Sequence, residues 1–157
     1  MTISIRKASK QDHQIIVECQ IKMAYETENL ELENDIVSKG VFEIINNSPL
    51  GYYLIAEDVQ KNVVGVMMVL YEWSDWRNGK ILWIHSLYVK TEFRKMGVFK
   101  SFYSYLQNLV NSSNQFKGLR LFVEKNNSIA QKTYQHVGMN NEHYELFEWL
   151  KTNNYKE

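Results

Sequence analysis

Three apolar segments in the middle of the chain constrain the fold more than any other feature. Residues 51–57 and 63–71 are rich in apolar and β-favouring side chains and flank a polar turn at 58–62, which predicts an antiparallel hairpin. Residues 81–89 follow a loop over 72–79 and predict a third strand. The chain therefore needs helices to cover the sheet that these strands form.

Apolar residues at helical spacing lie on both sides of these strands. Ser9 and Asp12 have the spacing of a capping box at the start of a helix that reaches about Tyr25, after a short strand over 2–6. A second helix is expected over 32–46, where an Asn-Asn-Ser-Pro run stops it. Farther along, the patterns predict a helix from Val98, a strand over 119–123, a helix over 128–136 and a closing strand over 143–150.

This order of elements, β-α-α-β-β-β-α-β-α-β, predicts an α/β (α+β) fold. The expected architecture is a three-layer domain in which helices flank a mixed, mostly antiparallel sheet. A chain of 157 residues with 45% apolar content also has the usual size of one compact domain. We therefore expect a single domain over residues 1–157.

Charge and apolar runs exclude several classes of partner. Lys and Arg number 18, as do Asp and Glu, so no overall field draws the chain to nucleic acid or to an anionic membrane. The longest apolar run, 63–71, is too short to span a bilayer, and residues 1–10 lack the apolar core of a signal peptide. The single cysteine, Cys19, cannot form an internal disulfide and is expected to be a buried, inert thiol. We therefore expect a cytoplasmic protein with no nucleic-acid or membrane partner.

The most informative segment connects the third strand to the helix that begins near Val98. A helix start offers unpaired N–H groups and the positive end of the helix dipole, and Arg94, Lys95 and Lys100 add positive charge around Gly97. The segment lacks the Gly-Lys-Ser/Thr of a P-loop and the three glycines of a dinucleotide fingerprint. On these residues alone, an anion site and an ordinary basic helix start are equally compatible with the pattern.

Two segments carry longer patterns that occur together. Residues 94–99 read Arg-x-x-Gly-x-Phe and follow the strand end Leu-Tyr-Val at 87–89 after a four-residue loop. This resembles the coenzyme-A-binding motif, Gln/Arg-x-x-Gly-x-Gly/Ala, of the GNAT family of N-acetyltransferases. Residues 123–139 are similar to the second motif of that family, with Asn127, Ala130 and Tyr134 in the expected places. The order of elements also looks like the GNAT fold.

The resemblance implies acetyl-coenzyme A as co-substrate and no metal. Backbone groups of Leu87 and Val89 would pair with the pantetheine arm, and N–H groups from Lys95 to Lys100 would hold the pyrophosphate. Phe99 stands where the family has Gly or Ala, so coenzyme affinity depends on where its ring points. The implied coenzyme-binding residues are Leu87, Tyr88, Val89, Arg94, Lys95, Met96, Gly97, Val98, Phe99, Lys100, Asn127, Ala130 and Tyr134.

Transfer to an amine needs one group that accepts a proton and one that donates it. An alkyl ammonium has a reference pKa of about 10.4 and must lose a proton before it attacks. The resemblance implies that Tyr134 is the general acid, since a phenol keeps its proton near neutrality. Where many relatives place a carboxylate base, this chain has His85, which titrates near neutrality and is the candidate base. A structural role for His85 and a base supplied by Glu26, Glu28 or a water relay stay open.

Aromatic and acidic residues suggest what the acceptor is. Trp73, Asp75 and Trp76 lie in the loop before the third strand, and together with Glu26 and Glu28 they have the chemistry to hold a cation. This loop faintly resembles that of spermidine/spermine acetyltransferases. We expect a small amine or polyamine as acceptor. A peptide N-terminus or lysine, a GNAT-like module without catalysis, and a homodimer contact through the two tryptophans are the alternatives.

Overall fold

The computed structural model of the protein describes residues 2–47, 49–149 and 151. Within them the chain forms strands β1 (Ser4–Lys7), β2 (Gly51–Glu57), β3 (Val63–Ser74), β4 (Gly79–Val89) and β5 (Phe116–Leu121). The helices are α1 (His13–Glu28), α2 (Asn34–Asn46), α3 (Val98–Asn111) and α4 (Ser128–His136), with single 3-10 turns at Lys10–Asp12 and Thr91–Phe93. The chain divides into two compact units, one up to Phe122 and one from Val123 onward.

The five strands form one mixed sheet in the order β1-β2-β3-β4-β5. The first four strands are antiparallel neighbours, and β5 pairs with β4 in parallel. The predicted α/β fold with a mostly antiparallel sheet is therefore confirmed. The hairpin arm β3 extends to Ser74 and β4 begins at Gly79, so the loop expected over 72–79 is only four residues, 75–78.

Helices cover both faces of the sheet. On one face, buried residues of α1 and α2, including Ile16 and Val41, pack with Tyr53, Ile55 and Val66 of β2 and β3. On the other face lies α3, whose Phe102 and Leu106 are fully buried. A Cβ atom on Gly65 would lie only 3.1 Å from Val98 and 3.4 Å from Phe102, so glycine at this position lets α3 approach β3 closely.

A charged network ties the start of α1 to the sheet. Asp12 accepts hydrogen bonds from the N–H and hydroxyl of Ser9, 2.7 and 2.9 Å long, which confirms the predicted capping box. Arg6 donates two 2.8 Å bonds to the same carboxylate and one 2.7 Å bond to Glu57 on β2. The first strand, expected over 2–6, lies one to two residues later because its pairing with β2 runs from Ser4 to Lys7.

Beyond Val123 the structure confirms one prediction and contradicts another. The helix expected over 128–136 is α4, capped by Asn127, whose side chain accepts a 3.0 Å bond from Ala130 N–H. The closing strand expected over 143–150 is wrong for residues 143–149, which form no strand, and Leu150 lies outside the described residues. Apolar positions switch from 144 and 146 to 147 and 149, so no single face of a strand would be apolar. Their large side chains, Tyr144, Leu146, Phe147 and Trp149, are exposed.

The buried thiol and the apolar content of the helices also agree with the sequence. Cys19 is buried, and burial raises the pKa of its thiol to about 11, so it is a poor nucleophile near neutrality. None of the helices in the described part of the chain has the length and apolar content that a membrane span requires.

Candidate active site

The site begins where the two parallel strands separate. Pairing between β4 and β5 ends at Ile84 and Leu121, but β4 continues for another five residues, from His85 to Val89. Along this stretch the edge of β4 that faced β5 has no β5 partner. Its backbone N–H and C=O groups can therefore pair with a ligand. An extended ligand chain with amide groups can pair with such an edge as an added strand would.

A bulge disturbs β4 at the start of this open stretch. Val66 pairs with Tyr88 and Met68 with His85, so one residue of β3 stands opposite two of β4. Ser86 has a φ of 45°, in the left-handed region, where a non-glycine residue carries a strain of about 1–3 kcal/mol. A bulge leaves its extra residue out of the ladder and re-aims the neighbouring groups. This geometry favours a backbone N–H near Leu87 that faces a ligand rather than β3.

The segment after β4 has the backbone of an anion-binding loop. After the turn at Thr91–Phe93, Lys95 and Gly97 both adopt left-handed conformations, with φ of 62° and 83°. Gly97 is the N-cap of α3, and the first bond within the helix runs from Ser101 N–H to Gly97 C=O over 3.0 Å. The first N–H groups of α3 have no acceptor within the helix, and the helix dipole favours an anion at this end. The lysines at 95 and 100 are exposed around it.

The ring of Phe99 points along α3 and away from the backbone of this loop. The ring packs along α3 against Tyr103, with 6.0 Å between the ring centres. A side chain at this position thus follows the helix surface instead of standing between the loop and an anion. The departure from Gly or Ala is accommodated in this way, and its effect on coenzyme affinity stays a prediction.

Glu26 and Arg94 link α1 to the loop. Arg94 donates hydrogen bonds to the Glu26 carboxylate and, over 3.0 Å, to Val89 C=O. The Tyr88 hydroxyl donates a 2.9 Å bond to the other carboxylate oxygen, and the Arg94 guanidinium lies 5.6 Å from the Tyr88 ring centre. Arg94 lowers the pKa of Glu26, and Glu26 in turn raises the pKa of Arg94. Both oxygens of Glu26 are thus engaged, one by Arg94 in the loop and one by Tyr88 at the end of β4.

The acidic and aromatic residues expected to bind the acceptor are not brought together. Trp73 pairs with Lys80 at one end of β4, and Glu26 contacts Tyr88 near the other. Eight residues of strand separate these positions, roughly 25 Å. The structure therefore does not bring Glu26 together with Trp73, and acceptor binding by Glu26, Glu28, Trp73, Asp75 and Trp76 stays a prediction. Trp73 and Trp76 are 60% and 88% exposed at the far end of the hairpin.

His85 lies at the first position of the open stretch. Its ring packs at 5.7 Å, edge to face, against Phe122 and at 6.1 Å from the ring of Trp83. Burial lowers the pKa of His85, so its imidazole is neutral at neutral pH. His85 is only partly buried, and no hydrogen bond joins its ring nitrogens to another of the described residues. A neutral imidazole with an available nitrogen is a competent proton acceptor.

Four residues beside His85 were missed by sequence reasoning. Trp83 donates its indole N–H to Glu72, and Arg120 donates a 2.6 Å bond to the other oxygen of that carboxylate. The ring of Phe122 lies 4.4 Å from that of Trp83. The Trp-x-His alternation in β4 indicates that residues 83 and 85 share a face. The contributions of Arg120 and Phe122 depend on the β4–β5 register, for which the sequence carries no signal.

In the unit that follows Val123, α4 carries the second motif. Burial raises the pKa of the Tyr134 phenol, so it keeps its proton well beyond neutrality. Asn127 uses its side-chain oxygen to cap α4, which leaves its amide N–H₂ as the group for other contacts. In the described part of the chain, no three His, Cys, Asp or Glu side chains are arranged to hold a metal ion.

Comparison with known proteins decides the family. The sequence model described as acetyltransferase (GNAT) family matches residues 14–139. The chain belongs to the GNAT acetyltransferase family. A GNAT acetyltransferase uses acetyl-coenzyme A as its acetyl donor, so this protein is an acyltransferase. No curated protein matches the chain significantly in sequence.

Solved structures of GNAT acetyltransferases resemble the chain over nearly all of its length. A possible acetyltransferase from Clostridium difficile 630 is 37% identical, with a TM-score of 0.89 over 98% of this chain and 100% of that one. A predicted acetyltransferase with acetyl-CoA from Clostridium acetobutylicum is 19% identical, with a TM-score of 0.70 over 97% and 96%. Glucosamine-6-phosphate N-acetyltransferase from Arabidopsis thaliana is 18% identical, with a TM-score of 0.70 over 96% and 100%. The last two show likeness of fold.

The GNAT residues in this chain fit acetyl-coenzyme A. The open edge of β4 suits the amide-bearing pantetheine arm, and the start of α3 suits a diphosphate. Exposed lysines at 95 and 100 supply positive charge without a carboxylate partner in the described residues. Arg94, by contrast, is paired with Glu26.

Proposed function

We propose that this GNAT enzyme transfers the acetyl group of acetyl-coenzyme A directly to the primary amine of a small molecule, a small amine or polyamine. The observation that carries the proposal is the open stretch of β4, which starts at His85 and leads straight into the N-terminus of α3. The open stretch thus has a proton acceptor, His85, at its start and a diphosphate-binding site, the N-terminus of α3, beyond its end. The distance between them suits a linear coenzyme arm that pairs along the edge.

The coenzyme-binding roles follow the order of the chain. Backbone groups of Leu87 and Val89 pair with the pantetheine arm, and N–H groups from Lys95 to Lys100 bind the pyrophosphate. The amide of Asn127 donates a hydrogen bond to the pantetheine arm. These assignments keep the pyrophosphate at the exposed loop and the thioester beside His85.

The chemistry uses two groups with opposite pKa shifts. Bound acetyl-coenzyme A supplies the acetyl carbon and a thiol leaving group. His85 accepts a proton from the acceptor ammonium, directly or through water, because burial keeps its imidazole neutral. As the N–C bond forms and the C–S bond breaks, Tyr134, which its raised pKa keeps protonated, donates its proton to the departing sulfur. The Tyr134 phenolate then takes the second proton from the acylated nitrogen, which leaves a neutral amide and free coenzyme A. A backbone N–H near Leu87 stabilises the negative charge that develops on the carbonyl oxygen.

A primary amine is a chemically consistent acceptor. The fold neighbour from Arabidopsis thaliana is named for an N-acetyltransferase of an amino sugar phosphate. The predictions of a single domain, a cytoplasmic location, no nucleic-acid partner and a homodimer contact through Trp73 and Trp76 remain open to experiment. None of them bears on the chemistry at β4.

The test is an acetylation screen with the purified protein. Acetyl-coenzyme A should first raise the melting temperature, because a ligand that binds the native state stabilises it. Release of free thiol should then be measured with small amines, polyamines, amino acids and peptides. Transfer to small primary amines supports the proposal. Transfer only to peptide N-termini or lysine side chains would show that the acceptor is a peptide or protein and not a small amine. A melting shift without any transfer would reject amine acetylation.

Tyr134→Phe tests the acid within the same screen. Removing the phenolic hydroxyl should lower kcat by about 10²-fold, the usual contribution of a general acid, with the KM for acetyl-coenzyme A within twofold of the original. Tyr105→Phe in α3, a tyrosine with no assigned role, is the matched control and should keep full turnover. Equal turnover in Tyr134→Phe would remove this residue from the acid role.

A further inference from the structure

Three rings form a surface beside the open stretch of β4. Trp83 and His85 are two residues apart on one strand and share a face of the sheet, and Phe122 directly follows β5. The three ring centres lie 4.4 to 6.1 Å apart. We call these three residues the ring wall.

The ring wall lies beyond the part of the sheet that the helices bury. The core under α1 and α2 includes Tyr53, Ile55, Val66 and Tyr88, with Met68, the pairing partner of His85, packed against it. The wall continues the same face toward β5, where Phe122 remains 48% exposed. An exposed aromatic surface therefore lies next to His85, the proposed base, where the acceptor amine can contact it.

The polar groups behind the ring wall are paired with one another. Glu72 accepts hydrogen bonds from the Trp83 indole on one oxygen and from Arg120 on the other. The Arg120 guanidinium also lies 5.8 Å from the centre of the Trp83 ring. The carboxylate is thus neutralised and held against the wall. The wall offers apolar ring surface, and the described residues that contact it contribute no unpaired carboxylate, which a polycation would need for its second and third charges.

We propose that Trp83, His85 and Phe122 form the acceptor subsite, and that it takes a monoamine whose nitrogen is carried on an aromatic or other flat apolar group. The apolar group packs on Trp83 and Phe122, and the amine then lies near the His85 imidazole. This rests on the proposed function, because it names the class of amine that the same reaction uses. Among small amines and polyamines, the proposed subsite favours apolar monoamines.

Two probe amines separate the classes. With acetyl-coenzyme A held at saturation, kcat/KM should be measured for 2-phenylethylamine and for spermidine. We expect at least about a tenfold preference for 2-phenylethylamine, which corresponds to about 1.4 kcal/mol and is within the range of one aromatic contact with its buried area. A preference for spermidine would overturn the inference and leave the proposed function standing. Transfer to neither amine nor any other small amine would overturn both.

Variants of Phe122 test whether the ring wall determines the preference for 2-phenylethylamine over spermidine. Phe122→Ala should raise the KM for 2-phenylethylamine about tenfold and leave the KM for acetyl-coenzyme A unchanged. Phe122→Glu should shift the ratio of kcat/KM toward spermidine, because it places an unpaired carboxylate on the wall. Phe42→Ala removes a similarly exposed phenylalanine, 57% exposed on α2, and should change neither constant.

Each variant has an outcome that contradicts the proposal. An unchanged KM for 2-phenylethylamine in Phe122→Ala would exclude Phe122 from the subsite. An equal rise of both Michaelis constants would indicate a general structural loss rather than acceptor recognition. Because Phe122 is half-exposed, its replacement should leave the melting temperature within a few degrees, which is checked on the same samples.

Discussion

Glu26 and His85 show how tertiary contacts assign roles to single residues. The acidity of Glu26 suggests a contact with a cationic acceptor, but its carboxylate holds Arg94 and Tyr88. His85 was an ambiguous residue in a strand, and the structure places it at the end of the β4–β5 pairing with a pKa lowered by burial. The two residues thus make different contacts: Glu26 holds Arg94 and Tyr88, whereas His85 packs against the rings of Trp83 and Phe122.

Protonation of His85 should cause the fall of kcat/KM at low pH, the acid limb of the pH profile. A base works in its neutral form, and burial lowers the pKa of His85 from its ordinary value of 6.5. kcat/KM should therefore stay high as the pH falls through 6.5 and decline only at lower pH. His85→Gln should lower kcat by about 10²-fold and abolish this limb. The measurement is kcat/KM against pH for both proteins.

A matched histidine controls the experiment. His13, at the start of α1, is engaged with Ser38 C=O over 2.9 Å, and His13→Gln should retain the acid limb. An unaltered limb in His85→Gln would mean that another group, such as a carboxylate reached through water, is the base.

At the level of elements, α1 is joined to the coenzyme loop through one side chain. Glu26 lies in the last turn of α1, and Arg94 is the first residue after the 3-10 turn that ends β4. The guanidinium is held between this carboxylate and Val89 C=O, so the loop is partly ordered before coenzyme binds. A preordered loop binds with a smaller loss of conformational entropy.

Glu26→Gln should therefore affect the coenzyme rather than the acceptor. Loss of the ion pair frees Arg94, and we expect the KM for acetyl-coenzyme A to rise about two- to fivefold, the scale of an exposed ion pair, with the acceptor KM unchanged. Initial rates with each substrate varied in turn provide both constants.

Glu28→Gln is the control on the same helix. Glu28 is exposed two residues away, on a different side of α1, and should change neither KM. A rise in the acceptor KM of Glu26→Gln, with the coenzyme KM constant, would return Glu26 to the acceptor site. A double-mutant cycle with Arg94→Gln would measure the coupling of the pair.

Elements were predicted better than their connections. The capping box at Ser9 and the helix over 128–136 follow from local rules, and the structure has both. The hairpin turn at 75–78 is shorter than expected because cross-strand pairing extends both arms beyond the apolar run. The bulge at Ser86 carries no sequence signal, since its left-handed φ is imposed by two strands whose pairing resumes on both sides of it.

At the scale of the whole molecule, the Arg6 network anchors α1 to the sheet and should set stability in acid. Hydrogen bonds from Arg6 and Ser9 lower the pKa of Asp12 from 3.8 to about 2. A lowered native pKa stabilises the fold above the unfolded value and loses that contribution as pH falls through the native one. Allowing for the exposure of Arg6, the contribution is about 1–2 kcal/mol at neutral pH.

Asp12→Asn should remove this contribution. In denaturant titrations its free energy of unfolding should lie below that of the original protein by at least about 1 kcal/mol at pH 7. The gap should narrow between pH 5 and pH 2 as Asp12 becomes protonated. Asp35→Asn, at an exposed position of α2, should cost less than about 0.5 kcal/mol. A gap independent of pH would show that Asp12 acts through its shape and not through its charge.

The sequence by itself determined the fold class, the order of the elements up to α4 and the family motifs. These depend on periodicity, caps and turn residues, which act over a few neighbours in the chain. Only the tertiary structure decided that β4 and β5 part after Ile84, that Glu26 holds Arg94, and that Phe122 stands beside His85. Such contacts join residues 37 to 68 positions apart, and their geometry is set by strand register and helix packing, which local patterns do not encode.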